Sequence, residues 1–188
     1  MVKRRAVFLD RDGVINRAIV RGGKPYPPDS LESLEILPGV GEALSRLQEA
    51  GFLIVIVTNQ PDVAVGKQRR EVVEAMHAFL EKSLSIDLIK VCLHADADNC
   101  ACRKPKPGML LEAARELNID LARSFMVGDR WRDVAAGQAA GCQALFIDYG
   151  YAEKRPDKPY LAVKSLSEAA AMIAAPGRPP PIGKEGSP

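Results

Sequence analysis

The chain has 188 residues and a formal net charge of +2; 47% of its residues are hydrophobic and 27% are charged. That length suits one domain with a full core, and the near-neutral balance gives no field that would favour nucleic acid or a membrane surface. No apolar run approaches the ~18 residues of a membrane span, and the basic start Met1–Arg5 precedes only the short run Ala6–Leu9, too short for a signal peptide, so a cytoplasmic protein is expected.

Ala6–Leu9 reads as the first strand and ends in Asp10-Arg11-Asp12-Gly13. In extended chain, residues i and i+2 face the same side, so Asp10 and Asp12 would crowd two carboxylates. A hard cation such as Mg²⁺, which takes carboxylate and carbonyl oxygens, removes the conflict. One carboxylate can then attack while the other moves protons; the competing reading is a strand end and a polar turn. Ile15–Ile36, with Arg21-Gly22-Gly23-Lys24-Pro25-Tyr26-Pro27-Pro28, reads as a loop or flap over the strand ends. Val40, Ala43, Leu44 and Leu47 mark a helix face entered at Pro38. Leu53–Val57 is a continuous β-branched run, as a strand buried on both faces should be. Thr58 follows it, and its hydroxyl, with the N–H groups of the next turn, could hold phosphoryl oxygens.

Val72, Val73, Met76, Phe79 and Leu80 mark a second helix face, with His77 at the surface or boundary. Leu88–Leu93 is the next strand. It leads into Cys92-Leu93-His94 and Cys100-Ala101-Cys102. Three thiolates and an imidazole fill a tetrahedral Zn²⁺ and leave no open position, so the zinc would be structural and would staple Ala95–Asn99. Arg103-Lys104-Pro105-Lys106-Pro107-Gly108 enters a helix marked by Leu110, Ala113, Ala114 and Leu117. Lysine there is a point charge suited to phosphate and arginine a bidentate donor; the competing reading is a solvated basic turn. Phe125–Val127 is a strand followed by Gly128-Asp129-Arg130-Trp131-Arg132-Asp133. Asp129 is either a second metal carboxylate or a helix N-cap. Asp133 lies one helical turn later on a similar side, and Trp131 reads as packing. Cys142 is expected to be a small buried residue before the strand Ala144–Ile147. The tail 176–188, with Pro179-Pro180-Pro181, is expected to be disordered.

Alternating strands and helices of these lengths imply an α/β protein, a parallel sheet covered on both faces. Ligands in such folds bind beyond the C-terminal ends of the strands. The clusters Asp10–Gly13, Thr58–Gln60, Cys92–Lys106 and Gly128–Arg130 all fall there.

Together, Asp10-Arg11-Asp12-Gly13-Val14-Ile15-Asn16, Thr58-Asn59-Gln60, Arg103-Lys104-Pro105 and Gly128-Asp129 resemble the haloacid dehalogenase (HAD) superfamily of phosphatases. With the Cys/His loop added, the chain looks like the D-glycero-D-manno-heptose-1,7-bisphosphate 7-phosphatase family, related to histidinol-phosphate phosphatases. The resemblance runs from about Ala6 to Asp148. It implies a three-layer Rossmann-like HAD fold without a large cap domain, in one domain over residues 1–175. It implies that Asp10 is the nucleophile and a Mg²⁺ ligand, and that Asp12 gives its backbone carbonyl to Mg²⁺ and its carboxyl to proton transfer. Asp129 would complete the Mg²⁺ site. Thr58 and Lys104 would hold the phosphoryl group, Asn59 and Arg103 would lie in the substrate pocket, and Arg130 would approach substrate or phosphate. Zn²⁺ would be held by Cys92, His94, Cys100 and Cys102.

The chain departs from the family pattern in its specificity region: five residues separate His94 from Cys100, Pro61-Asp62 replaces Ser-Gly, and Val65 replaces arginine. The implied function is a Mg²⁺-dependent phosphate-monoester hydrolase working through an aspartyl-phosphate. It would act as a monomer on a small phosphorylated sugar, most simply the heptose bisphosphate of lipopolysaccharide precursor synthesis. The alternatives are a histidinol-phosphate phosphatase and, from another class, a zinc-stapled binding module. The last would leave the strand-end polar clusters unexplained.

Overall fold

The computed structural model describes residues 2–175; the expectation for 176–188 lies outside them. In chain order the strands are β1 (Arg5–Leu9), β2 (Ile19–Arg21), β3 (Lys24–Tyr26), β4 (Phe52–Asn59), β5 (Leu88–Cys92), β6 (Phe125–Gly128), β7 (Gln143–Ile147) and β8 (Leu161–Val163). The helices are α1 (Val40–Glu49), α2 (Arg70–Ser83), α3 (Gly108–Glu116), α4 (Trp131–Ala140) and α5 (Leu166–Ala174). Six strands form a parallel sheet in the order β5-β4-β1-β6-β7-β8, while β2 and β3 form a separate antiparallel hairpin.

The period of two along each strand splits the core into two layers. Val7, Leu9, Ile54, Ile56, Phe125, Val127, Leu145 and Ile147 face one layer, closed by α1, α2 and α5. Ala6, Phe8, Leu53, Val55, Val57 and Met126 face the other, closed by α3 and α4. Both faces are therefore apolar, which is why β1 and β4 read as unbroken hydrophobic runs.

The expected strands are all present. The flap segment is more ordered than a loop, since Ile19↔Tyr26 and Arg21↔Lys24 pair across β2 and β3. Phe79 was expected on the buried face of α2 but is 41% exposed; Val73, Met76 and Leu80 carry the burial instead. β8 and α5 had no counterpart in the sequence reading. A local signal for α5 exists: Ser165 Oγ accepts from Glu168 N, and Glu168 Oε2 accepts from Lys164 N, a Ser-x-x-Glu cap.

Ile54 is fully buried at the centre of the first layer. Ile54→Ala should lower the unfolding free energy by about 2–5 kcal/mol in a urea titration. A loss under about 1 kcal/mol would mean that the layer closes around the gap.

Candidate active site

From β1 the chain steps to β4 and β5 on one side, then crosses to β6, β7 and β8 on the other. The switch point is the seam between β1 and β6, where such sheets open a crevice beyond the strand ends. Asp10 follows β1 and Asp129 follows β6. The seam holds Asp10 directly, because its N–H donates to the Val127 carbonyl at 3.0 Å.

The chain then turns around one carbonyl: Arg11 O accepts from Ile15 N at 2.8 Å and from Asn16 N at 3.1 Å. Gly13 sits in this turn at φ +88°, and a Cβ there would stand 1.9 Å from Asp129 Oδ2. A side chain at Gly13 is thus excluded twice, by conformation and by the carboxylate it faces.

Asp10, Asp129 and Asp133 are buried, and each offers an oxygen within 4.8 Å of the others. Lys104 reaches them from the segment before α3, with Nζ 2.8 Å from Asp10 Oδ1 and 2.6 Å from Asp133 Oδ1. Its backbone is clasped by Asn59: Asn59 Nδ2 donates to Lys104 O at 3.0 Å, and Lys104 N donates to Asn59 Oδ1 at 3.1 Å. Asn59 was expected in the substrate pocket; it lines the cavity, and its amide is engaged in placing the lysine.

Burial, then repulsion from Asp133, raises the Asp10 pKa to about 6 against the pull of Lys104. Burial, then Asp10 and Asp133, holds Asp129 well above the usual carboxylate range. Although burial opposes it, Asp10 and Asp133 keep the Lys104 ammonium above its ordinary pKa. Three acids facing one ammonium are short of positive charge. Asp129 Oδ1 is moreover buried without a partner. An all-oxygen, electron-rich donor set with an open atom fits a divalent hard cation.

Asp12 points into a different set of contacts. Arg11, fully buried, donates from Nη2 to Asp12 Oδ1 and Oδ2 at 3.0 Å each and from Nε to Oδ1 at 3.1 Å. Asn16 Nδ2 donates to Oδ1 at 3.0 Å. Gln60 Nε2 donates both to Asp12 Oδ2 and to Thr58 Oγ1, each at 2.8 Å. His77, expected at the surface or boundary, has Nε2 3.3 Å from Arg11 Nη1; burial, then the guanidinium, lowers its pKa to about 4.

A cavity of about 250 Å³ opens above these groups. Asp10, Asp12, Asn59, Arg103, Lys104 and Arg130 line it; Thr58 and Asp129 lie buried and do not line it. The hairpin contributes Lys24–Pro27. Arg130 pairs with Glu153 of the loop after β7. Arg103 Nε donates to Asp96 Oδ1 at 2.7 Å, and Arg132 Nη1 donates to the same oxygen at 3.2 Å. Arg103 Nη1 is buried with no partner.

The reading of Asp129 as a helix N-cap is corrected: Arg130 holds the cap position, and Asp133 Oδ2 accepts from Arg130 N at 2.9 Å. Trp131, read as packing, is half-buried outside the cavity lining, with Arg132 and Lys154 over its ring at 4.9 and 5.1 Å. Sequence alone assigns no role to Arg11, Asp96, Arg132, Tyr151 or Glu153. The alternation of charge in Arg130-Trp131-Arg132-Asp133 was the available signal for Arg132, whereas nothing local marks Tyr151 or Glu153.

Beside the cavity, Cys92, His94, Cys100 and Cys102 present three sulfurs and one nitrogen within 4.8 Å of one another. Cys102 Sγ lies 3.2 Å from Cys92 Sγ, 3.4 Å from Cys100 Sγ and 3.3 Å from His94 Nδ1. A Zn–S bond of about 2.3 Å implies a tetrahedral edge of roughly 3.8 Å, so the set is slightly contracted around a volume one ion could fill. Burial, then hydrogen bonds within the cluster, raises the Cys92 thiol to about 12. At Cys100 burial pushes the same way but is outweighed by hydrogen bonds led by Cys102, which hold it at about 7.

Against known proteins, residues 23–141 match the haloacid dehalogenase-like hydrolase family. The chain belongs to that family and lies among its phosphatases. It is 40% identical over 139 residues to the D-glycero-beta-D-manno-heptose-1,7-bisphosphate 7-phosphatase of Helicobacter pylori, covering 71% of this chain and 76% of that protein. It is 36% identical over 166 residues to the enzyme of that name from Pseudomonas aeruginosa, covering 84% and 89%. Among solved structures, the D,D-heptose 1,7-bisphosphate phosphatase of B. bronchiseptica, complexed with magnesium and phosphate, superposes with a TM-score of 0.79 at 31% identity, covering 90% of this chain and 97% of that one.

Lys104→Met tests the charge balance. Asp10 gives up its proton near 6 in the fold and at 3.8 as a free group, so the folded state loses ground as pH rises from about 4 to about 6. The variant should lose about 3–5 kcal/mol at pH 8 without divalent cations and clearly less at pH 5, where the acids can neutralise. Equal losses in chemical denaturation at both pH values would refute the assigned balance.

Proposed function

We propose that the chain is a Mg²⁺-dependent phosphate-monoester hydrolase that removes the 7-phosphate of D-glycero-β-D-manno-heptose 1,7-bisphosphate. The observation that carries the chemistry is Lys104 Nζ, buried between Asp10 and Asp133 at the β1–β6 seam. The substrate rests on the relatives that bear this enzyme's name and on the guanidinium groups of Arg103, Arg130 and Arg132 along the cavity, which suit a second phosphate. A binding module would have no use for a lysine buried among carboxylates.

Asp10, Asp129 and the backbone carbonyl of Asp12 would hold Mg²⁺, which when bound offsets charge on the phosphoryl oxygens and the acids. Asp10 attacks phosphorus in line, forming an aspartyl-phosphate as the ester P–O bond breaks. Asp12 gives its proton to the leaving sugar oxygen. Asp12 then takes a proton from water, whose oxygen attacks phosphorus; the Asp10–phosphate bond breaks and inorganic phosphate leaves. Lys104 and Thr58 steady the phosphoryl group, whose transition state spreads charge over its oxygens. Arg11, Asn16 and Gln60 keep the Asp12 carboxylate in one orientation through both proton transfers. Zn²⁺ would be held by Cys92, His94, Cys100 and Cys102, beside the cavity and with a closed set of ligands, so its role would be structural.

A phosphate-release assay with Mg²⁺ should rank the β-anomer of the heptose bisphosphate above the α-anomer, histidinol phosphate and other sugar phosphates. Preference for histidinol phosphate would overturn the substrate assignment. Asp10→Asn should cut turnover by about 10³-fold or more with its fold intact; near-native turnover removes Asp10 as nucleophile. Cys102→Ser should lose zinc by atomic absorption and melt at lower temperature, whereas a native metal content would reject the zinc assignment.

A further inference from the structure

The loop after β7 is fastened to the site at three consecutive residues. Tyr151 OH donates to Asp129 Oδ2 at 3.0 Å. Ala152 N donates to Gly23 O in the β2–β3 turn at 2.8 Å. Glu153 pairs with Arg130. The base of the loop is closed on itself, since Asp148 Oδ1 accepts from Gly150 N and from Arg155 Nη1, each at 3.0 Å. The phenol is therefore delivered by a built loop.

Asp129 is gripped on one oxygen only. Tyr151 binds Oδ2, and the Gly13 backbone crowds that oxygen so closely that a Cβ would stand 1.9 Å away. Oδ1 is buried and has no partner.

We propose that Tyr151 is a positioning residue for the cation site: its hydroxyl pins Asp129 Oδ2 and presents Oδ1, unshared, to a divalent cation. This deepens the reading of Asp129 as a metal carboxylate and rests on it. A carboxylate fixed through its second oxygen keeps one rotamer and cannot turn both oxygens to the ion. Hydrogen bonds of this kind around metal ligands commonly change metal affinity about 10–100-fold. If the bond only tied the loop down, its removal would lower thermal stability and leave cation affinity alone.

The test is calorimetric titration of MgCl₂ into wild type, Tyr151→Phe and Asp129→Asn, without substrate. Tyr151→Phe should bind Mg²⁺ about tenfold or more weakly, and Asp129→Asn should lose binding. Native affinity in Tyr151→Phe beside lost binding in Asp129→Asn overturns the role of Tyr151 and leaves Asp129 as a metal carboxylate. Native affinity in Asp129→Asn overturns the reading beneath it. Should Tyr151→Phe fail to fold, the wild-type protein carries the test. It has four tyrosines, so ζ-¹³C tyrosine NMR assigned through Tyr26→Phe, Tyr149→Phe and Tyr160→Phe isolates the Tyr151 resonance. That resonance should move when Mg²⁺ is added; a stationary one overturns the proposal.

Discussion

The site depends on a shortage of positive charge. Asp10, Asp129 and Asp133 converge at the β1–β6 seam, and Lys104 is the ammonium that bridges two of them. In water such a cluster would relax by separating. Here the strands forbid it, because Asp10 and Asp129 are anchored by backbone that is itself locked in the sheet. Burial makes the repulsion stronger than at a surface. The fold thus holds an arrangement that isolated side chains would avoid, and the pKa values of Asp10 and Asp129 are raised first by burial and then by their acidic neighbours.

Two glycines make the convergence possible. At Gly13 the turn after β1 closes on Asp129, and at Gly128 a Cβ would stand 2.1 Å from Asp133 Cβ. Each removes a side chain where a carboxylate from another part of the site must pass. Asp133 then serves twice, with Oδ2 capping α4 through Arg130 N and Oδ1 facing Lys104. That double use places the start of α4 rigidly against the lysine.

The sheet was legible because β1, β4, β6 and β7 are buried on both faces, so Ala6–Leu9, Phe52–Val57, Phe125–Val127 and Ala144–Ile147 are apolar without interruption. β8 is only three residues long at the sheet edge, and the buried face of α5, Leu166, Ala169, Ala170 and Ile173, is half alanine, so its cap is a clearer signal than its face. Among the site residues, Asp10, Asp12, Lys104 and Asp129 stood out because charge at the end of a buried strand, or between prolines before a helix, has little structural reason to be there. Asn59 showed its position but not its work, since a clasp on the Lys104 backbone depends on how two distant loops meet. Tyr151 and Glu153 were invisible for the same reason: their loop has no pattern, and its meaning comes from what it touches.

The Cys/His cluster reaches further into the site than a staple requires. It closes the chain between Cys92 at the end of β5 and Cys102, and the short turn Asp96–Asp98 lies inside that closure. Asp96 lies between Arg103 and Arg132, accepting from both. Its own pKa is lowered, chiefly by the hydrogen bond from Arg103, so it stays anionic and keeps both guanidinium groups in place. The two halves of the cavity therefore have separate origins. The floor is set by the sheet, through residues fixed at strand ends. The cationic wall is set by a loop whose two ends meet at the Cys/His cluster, so the placing of Arg103 and Arg132 depends on that cluster and on Asp96 rather than on the strand ends.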